Sequence, residues 1–523
     1  MGERWIWLLL LWLLTLLIWF PGLGSLPLRD WDESLVAIVS SSTVPINGWP
    51  HWFAFKWDRP YLNKPPGLHW LVGSMIYLFN NSEAIIRFVP CLLASFSIPL
   101  LTLLRWDLGV ADNTRTKREH CSGILAGLVL ATLLPVARHG RLVMLDGALM
   151  SANLLVWWGW LSSRWKPSLG FIAGLAGSFI LMLKPPVIIG ILFIVTALSI
   201  VERVVPRREA LLWFGAGLIP GMSWHIGHFR ARGADALVMW GSQGLARITS
   251  VVEDGTGSWV IPIIEMLEGG WPWLALMPAG LSAVWQYQHR ITGQWLIVLL
   301  LGSVVMVLPL RTQLPWYSQL LWTPIALICA EGLIKVLDHR CHRWVCNLWT
   351  LAGIALLFGS LGVATNWIHL SAPIITFLSA GIGLTIGALM LKSKHYHQRH
   401  RGLTVLLVGW SISLITLWHS GLWLWELNES WDPRSVAAQI RRLPAEADIR
   451  LVGPNRPSLE WYANRPLKSS HDAEKVSDHY VIAIQPPPGC YAQETVVTGD
   501  WQLWFCPYQV KRTVSKNPLN EGV

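Results

Sequence analysis

Residues 5–24 read WIWLLLLWLLTLLIWFPGLG, a run without a single charged side chain. A helix rises about 1.5 Å per residue, so a run of this length spans the ~30 Å hydrocarbon core of a bilayer. The run is longer than the apolar part of a secretory signal, and no small-residue cleavage site follows it. It reads as a first membrane helix. Comparable runs recur near 84–104, 122–138, 142–162, 168–183, 185–201, 210–227, 271–287, 293–310, 316–336, 347–367, 372–391 and 403–424, which makes thirteen. Only 14% of residues are charged and 53% are hydrophobic, with a mean hydropathy of +0.43. A soluble domain carries roughly 25% charged residues. The fold class expected is an all-α polytopic membrane protein with about thirteen transmembrane helices.

The net charge of +10 does not point to nucleic acid, because the cations sit in short clusters between apolar runs and no zinc-finger or P-loop spacing is present. With the N-terminus placed in the cytoplasm, the alternation puts every basic cluster on one side. These are Arg105 with Arg115, Lys117 and Arg118, Arg164 with Lys166, Arg203 with Arg207 and Arg208, Arg340 with Arg343, and Lys392 to Arg401. That is the positive-inside pattern of a plasma (inner) membrane protein. Residues 67–80 are apolar but too short to span, so they are expected to lie on the outer surface. The 35 Trp residues are expected at the membrane interface, where an indole keeps its N–H wet.

The odd helix count leaves residues 1–424 as the membrane domain and residues 425–523 outside, in the periplasm. The tail is polar enough and long enough to fold as a small α/β extracytoplasmic domain. Helices are expected at Ser435–Leu443 and Ser458–Ala463, and strands at Asp448–Gly453, His479–Gln485 and Gln502–Tyr508. Of seven Cys, only Cys490 and Cys506 lie in this tail. Outside the cytoplasm they are candidates for a disulfide.

Three outward segments remain for chemistry: loop 27–83, loop 228–270 and the tail. Loops on a rigid scaffold are where function concentrates. The first opens with Arg29-Asp30-Trp31-Asp32-Glu33 and later reads Arg59-Pro60-Tyr61-Leu62-Asn63-Lys64-Pro65-Pro66. A lysine followed by two prolines is a rigidly presented cation, because proline fixes φ. An acid can take a proton from a hydroxyl, and such a lysine can hold a departing phosphate. A solvated acidic loop and a snorkelling lysine are the plainer alternatives.

Asp32-Glu33, followed after about thirty residues by Tyr61-Leu62-Asn63-Lys64-Pro65-Pro66-Gly67-Leu68-His69-Trp70, resembles the superfamily of the bacterial aminoarabinose (lipid A) transferases and protein O-mannosyltransferases. The resemblance continues through Arg141-Leu142-Val143-Met144-Leu145-Asp146, Lys184-Pro185-Pro186, Gln243-Gly244-Leu245-Ala246-Arg247, Trp271-Pro272-Trp273 and Leu314-Pro315-Trp316-Tyr317. It implies the glycosyltransferase-C fold and a polyprenyl-phosphate sugar donor. It implies Asp32 as catalytic base, with Asp30 and Glu33 as local competitors, and Lys64 as ligand of the donor phosphate. Arg59, Glu33, Asp146, Lys184 and Arg247 are the further candidates for donor or acceptor binding. A charge at the edge of a membrane helix is expected to have a partner and a use.

Two departures bear on cofactors. Where the aminoarabinose branch has Glu before Lys-Pro-Pro, this chain has Asn63, and where that branch has His, this chain offers Gln243 or Gly244. Neutral amides are poor ligands for a divalent metal, so metal-independent action is expected; His225 and His228 are the only nearby substitutes. Lesser signals are a pairing of Arg87 with Glu83, an interfacial Arg311, a helix-packing series at Gly170, Gly174 and Gly177, and sequons at Asn80 and Asn428. The acceptor is left open between a lipid A-like or envelope glycan and a secreted protein. A flippase of lipid-linked sugars, or an inactive binding protein of the same fold, stands as the rival reading.

Overall fold

Each of the thirteen apolar runs carries helix in the computed structural model of the chain. The structure describes residues 2–44, 50–114, 116–251, 260–338, 343–365, 367, 373–423, 432–453, 455–469, 479–492 and 501–507. Arg115, Arg340, Tyr508 and the sequon at Asn428 lie outside the described residues. The chain divides into two compact units, one of Met1–Leu26 with Val36–Asn428, the other of Pro27–Leu35 with Glu429–Val523.

The first unit is helical. Among the described residues, five helical stretches are long and apolar enough to cross a bilayer: Glu83–Ala111, Pro315–Leu337, Trp344–Ala364, Ile374–Leu391 and Tyr396–Leu417. Two further pairs are bent, Lys117–Thr132 with Leu134–Arg141 by 62° and Val260–Gly269 with Trp273–Gln286 by 97°. Gly67–Leu78, Pro167–Leu181, Val187–Val201 and Ile291–Val307 are shorter apolar helices. The protein is a multi-pass membrane protein.

Small residues set how closely these helices approach. A methyl group on Gly174 would overlap the Phe214 carbonyl, so Gly170–Leu181 and Arg208–Arg232 pack backbone to backbone. Ser178 completes the seam. Its hydroxyl donates to the Gly217 carbonyl (2.8 Å) and accepts from the Gly221 N–H (3.0 Å). In an apolar medium such bonds have no water to compete with them.

Tryptophan departs from expectation. Trp19, Trp157, Trp273, Trp295, Trp349 and Trp418 are among the largest fully buried side chains. The polar end of several is satisfied inside: Trp19 Nε1 donates to the Ala131 carbonyl (2.8 Å), Trp418 Nε1 to that of Ile18 (2.9 Å) and Trp349 Nε1 to that of Pro272 (2.8 Å). These rings fill core volume and hold helix ends together. Arg87 donates to the carbonyls of Leu23 (2.7 Å) and Leu26 (2.8 Å), fastening the turn that follows the first helix.

Among its described residues, the second unit has a five-stranded sheet with the helices Arg434–Arg442 and Pro457–Ala463. Strand order is Lys468–Ser469, Ile449–Leu451, His479–Ala483, Gln502–Cys506, Tyr491–Ala492; the first three are parallel and the rest antiparallel. The helix Arg434–Arg442 buries Val436, Ala437 and Ile440 at helical spacing. With Leu459, Ile449, Leu451, Ile482 and Leu503 they form the core. Cys490 and Cys506 are joined by a disulfide. The elements fall within a few residues of the expected ones; the two-residue strands at 468–469 and 491–492 were too short to read from sequence.

Candidate active site

In the first unit, three of the sequence-picked residues meet around one cavity of about 420 Å³. Its walls are apolar, with Ile189 and Phe193 from Val187–Val201 facing Val305 and Met306 from Ile291–Val307. One end is polar and holds Asp146, Lys184, Gln243, Arg247 and Tyr317.

Each polar group is placed by local structure. Asp146 lies in the first turn of Leu145–Ser162, where the helix dipole favours an anion. Lys184 sits in the turn that ends Gly170–Leu181, just before Pro185 and Pro186. Its Nζ is 3.1 Å from Asp146 Oδ1 and 4.4 Å from the centre of the Tyr317 ring. Burial pulls the Lys184 pKa down, but the neighbouring Asp146 carboxylate and Tyr317 phenol outweigh it and hold the amine above its ordinary value. It stays a cation. Arg247 lies on the short helix Ala246–Thr249 and is buried. Its Nη1 donates to Tyr317 Oη (3.1 Å), its Nη2 to Gln243 Oε1 (3.2 Å), and its own carbonyl accepts the N–H groups of Arg311 (2.9 Å) and Thr312 (3.1 Å). Two fixed cations at the end of an apolar cleft suit an amphiphile with an anionic head.

Lys64 approaches the same turn through the backbone. The Gly67 N–H donates to the Met182 carbonyl at 3.1 Å, which docks Lys64-Pro65-Pro66 against the residues leading into Lys184. A side chain at position 67 would collide with Met182. Lys64 itself is half-buried. Arg59 is different. It is exposed, on the hairpin Phe55–Lys56 with Arg59–Pro60, and does not line the cavity.

The acidic triplet belongs to the second unit, as part of Pro27–Leu35. Asp30–Ser34 is a wide helical turn that leads into Leu35–Thr43. The three acids separate by burial. Asp30 is 1% exposed, and its carboxylate accepts from Arg456 Nη1 (2.7 Å), the Ser458 N–H (2.9 Å) and the Ser458 hydroxyl. Glu33 is fully buried and accepts from the Arg29 N–H at 3.1 Å. Asp32 alone is partly open to solvent.

No protein-family model matches the chain. A curated relative, the undecaprenyl phosphate-alpha-4-amino-4-deoxy-L-arabinose arabinosyl transferase of Enterobacter sp. (strain 638), is 23% identical over 409 residues, covering 72% of this chain and 70% of the relative. The crystal structure of ArnT from Cupriavidus metallidurans in the apo state superposes with a TM-score of 0.73 at 15% identity, over 95% of this chain and 97% of that one. The same protein bound to undecaprenyl phosphate superposes with a TM-score of 0.71, again at 15% identity, over 95% and 98% of the two chains.

The chain has the glycosyltransferase-C fold.

Within this fold, Gln243, His225 and His228, the positions weighed as metal ligands, are engaged otherwise. Gln243 gives its amide oxygen to Arg247. His225 Nε2 lies 3.1 Å from the Leu181 carbonyl, and His228 stacks on Trp224 at 4.8 Å, both inside an aromatic cluster. Among the described residues, no group of three or more His, Cys, Asp or Glu comes together as a metal site. The sequence reading does not select Tyr317 as a site residue, although it stands in a quoted motif, and it weighs Gln243 only as a metal-ligand position. The signal missed is the aromatic hydroxyl directly after Pro315-Trp316, which Arg247 needs as a partner.

Proposed function

We propose that this protein is a membrane glycosyltransferase that takes a sugar from a polyprenyl-phosphate donor, of the undecaprenyl type named for its relatives, and transfers it to a hydroxyl of a lipid or envelope glycan on the outer face of the inner membrane. The observation that carries the reading is the apolar cavity ended by Lys184 and Arg247. An isoprenoid chain matches its walls, and a phosphate matches its cationic end. The sequence and fold likeness to the aminoarabinosyl transferases agrees with it.

The reaction is a single displacement. Asp32 takes the proton of the acceptor hydroxyl. The oxygen attacks the anomeric carbon on the face opposite the phosphate, and the bond from that carbon to the phosphate oxygen breaks. The electron pair leaves on the polyprenyl phosphate, and the anomeric configuration inverts. Lys64, Lys184 and Arg247 stabilise the leaving phosphate, at an apolar site where each charge contact is stronger than in water. A lipid or envelope glycan is preferred to a secreted protein's Ser or Thr as acceptor because the sequence likeness runs to the aminoarabinosyl transferases.

The test is transfer by purified protein in lipid nanodiscs, with polyprenyl-phosphate sugars and extracted envelope lipids. Wild type should release polyprenyl phosphate and label the lipid, with chelator present. Asp32→Asn should lose transfer while still binding undecaprenyl phosphate. Donor that stays intact but changes leaflet in vesicles would make the protein a flippase and sink the enzyme reading.

A further inference from the structure

Asp30 is out of place for a solvated loop acid. It is 1% exposed and engages the Arg456 guanidinium and both the N–H and the hydroxyl of Ser458, residues more than 420 positions later in the chain. Arg456 reaches it at 2.7 Å, with the guanidinium held 5.2 Å from the Trp501 ring. Ser458, at the start of Pro457–Ala463, offers it both a backbone N–H at 2.9 Å and its hydroxyl. A third tie lies two residues earlier, where the Leu28 N–H donates to Tyr462 Oη at 2.8 Å. Arg456, Ser458 and Tyr462 all belong to one face of the tail domain's second helix and its lead-in. They hold Leu28 and Asp30, and so fix the turn that carries Asp32 two residues on.

A general base must be held to within a fraction of an ångström of its proton, and groups on loops need such support. Charge-assisted bonds to a buried carboxylate are strong and directional. We infer that the C-terminal domain is a positioning element for the catalytic turn, with Arg456 and Ser458 acting through Asp30 to set the place of Asp32. The inference rests on the proposed role of Asp32. It assigns a use to the tail that its sheet and core do not reveal, and it makes Asp30 a positioning residue and not a second base.

The experiment uses full-length protein in nanodiscs. Arg456→Gln, Arg456→Lys, Ser458→Ala and Asp30→Asn are compared with wild type for turnover, donor KM and hydrogen exchange of residues 27–35. The expected result is a kcat lowered ten-fold or more in Arg456→Gln and Asp30→Asn, with donor KM within two-fold of wild type. Arg456→Lys should recover part of the loss, and Ser458→Ala, the mildest change, should lower kcat about three-fold. Exchange across 27–35 should quicken in the same order. Unchanged kcat in Arg456→Gln, or losses of kcat and KM in parallel with no change in exchange at 27–35, would overturn the inference. A wild type without transferase activity would sink the proposed function instead, and the exchange data would still show whether the tail clamps the turn.

Discussion

Lys184 Nζ lies 3.1 Å from Asp146 Oδ1, an ion pair at the polar end of an otherwise apolar cavity. The pair joins the turn after Gly170–Leu181 to the start of Leu145–Ser162. Its cation is also within 4.4 Å of the Tyr317 ring centre, so three segments depend on one ammonium group.

Removing one partner of a buried pair leaves a charge without compensation, at about 3–5 kcal/mol. Asp146→Ala should therefore lower stability by about 3 kcal/mol or more, and Lys184→Ala by a similar amount. The double variant should be more stable than the sum of the two losses predicts, because no lone charge remains. Thermal unfolding in one detergent checks this. Strictly additive losses would mean that the two side chains do not act as a pair. Lys184→Ala should in addition weaken undecaprenyl phosphate binding.

Tyr317→Phe keeps the ring beside Lys184 and removes only the oxygen that accepts from Arg247 Nη1 at 3.1 Å. A hydrogen bond from a charged donor contributes roughly 1.5–3 kcal/mol. Without the Tyr317 hydroxyl, Arg247 loses one of the partners that orient it beside those on Gln243, and affinity for undecaprenyl phosphate should fall about ten-fold. Arg247→Ala should cost more, since it also removes the charge. Binding titrations with undecaprenyl phosphate read both. Equal affinity in Tyr317→Phe and wild type would remove Tyr317 from the site.

The tail domain gives a pH dependence of known sign. Burial would raise the Asp448 pKa, but hydrogen bonds from Lys468 (2.8 Å) and Arg450 (2.8 and 2.6 Å), with their charges, hold it below the ordinary value. A depressed carboxylate stabilises the fold above its unfolded pKa, near 4, and that contribution fades as pH falls through the folded value. Asp448→Asn should therefore be less stable than wild type at pH 7, and the difference should shrink as pH falls below the unfolded value. Parallel stability curves from pH 7 to 3 would contradict the pairing.

What the sequence could reveal follows from the range over which its signals act. Apolar length is local, so thirteen helical runs could be placed from residues 5–24 onward, and the alternation of the tail's strands is equally local. Asp146, Lys184 and Arg247 could be selected because charge at the edge of an apolar run is costly wherever its partner lies. Which charge meets which could not be read. Asp146 and Lys184 are 38 positions apart, and Asp30 and Arg456 are 426 apart. No pattern of spacing encodes either contact. Arg59 is exposed on a short hairpin, a placement that strand pairing sets and that spacing along the chain does not encode. The tryptophans misled for a related reason. Composition gives their number, and only packing decides whether an indole N–H meets water or the carbonyl of a neighbouring helix.

The disulfide between Cys490 and Cys506 closes a loop with a sequence separation of 16. In the chain-entropy account a loop of about this size contributes roughly 3 kcal/mol by restricting the unfolded state. Cys506 ends the strand Gln502–Cys506, while Cys490 directly precedes Tyr491–Ala492, the two-residue strand beside it. The bond therefore secures this edge of the sheet, where the pairing is two residues long. Cys490→Ala should lower the unfolding temperature of the tail domain and quicken hydrogen exchange across Gln502–Cys506, while leaving the exchange of Arg434–Arg442 nearly unchanged. The same bond also tests sidedness. Thiols of a cytoplasmic domain are kept reduced, so a tail on the outer face of the membrane should show the linked peptide in non-reducing mass spectrometry of freshly isolated membranes. Free thiols at both positions in intact cells would place residues 425–523 inside and invert the proposed topology.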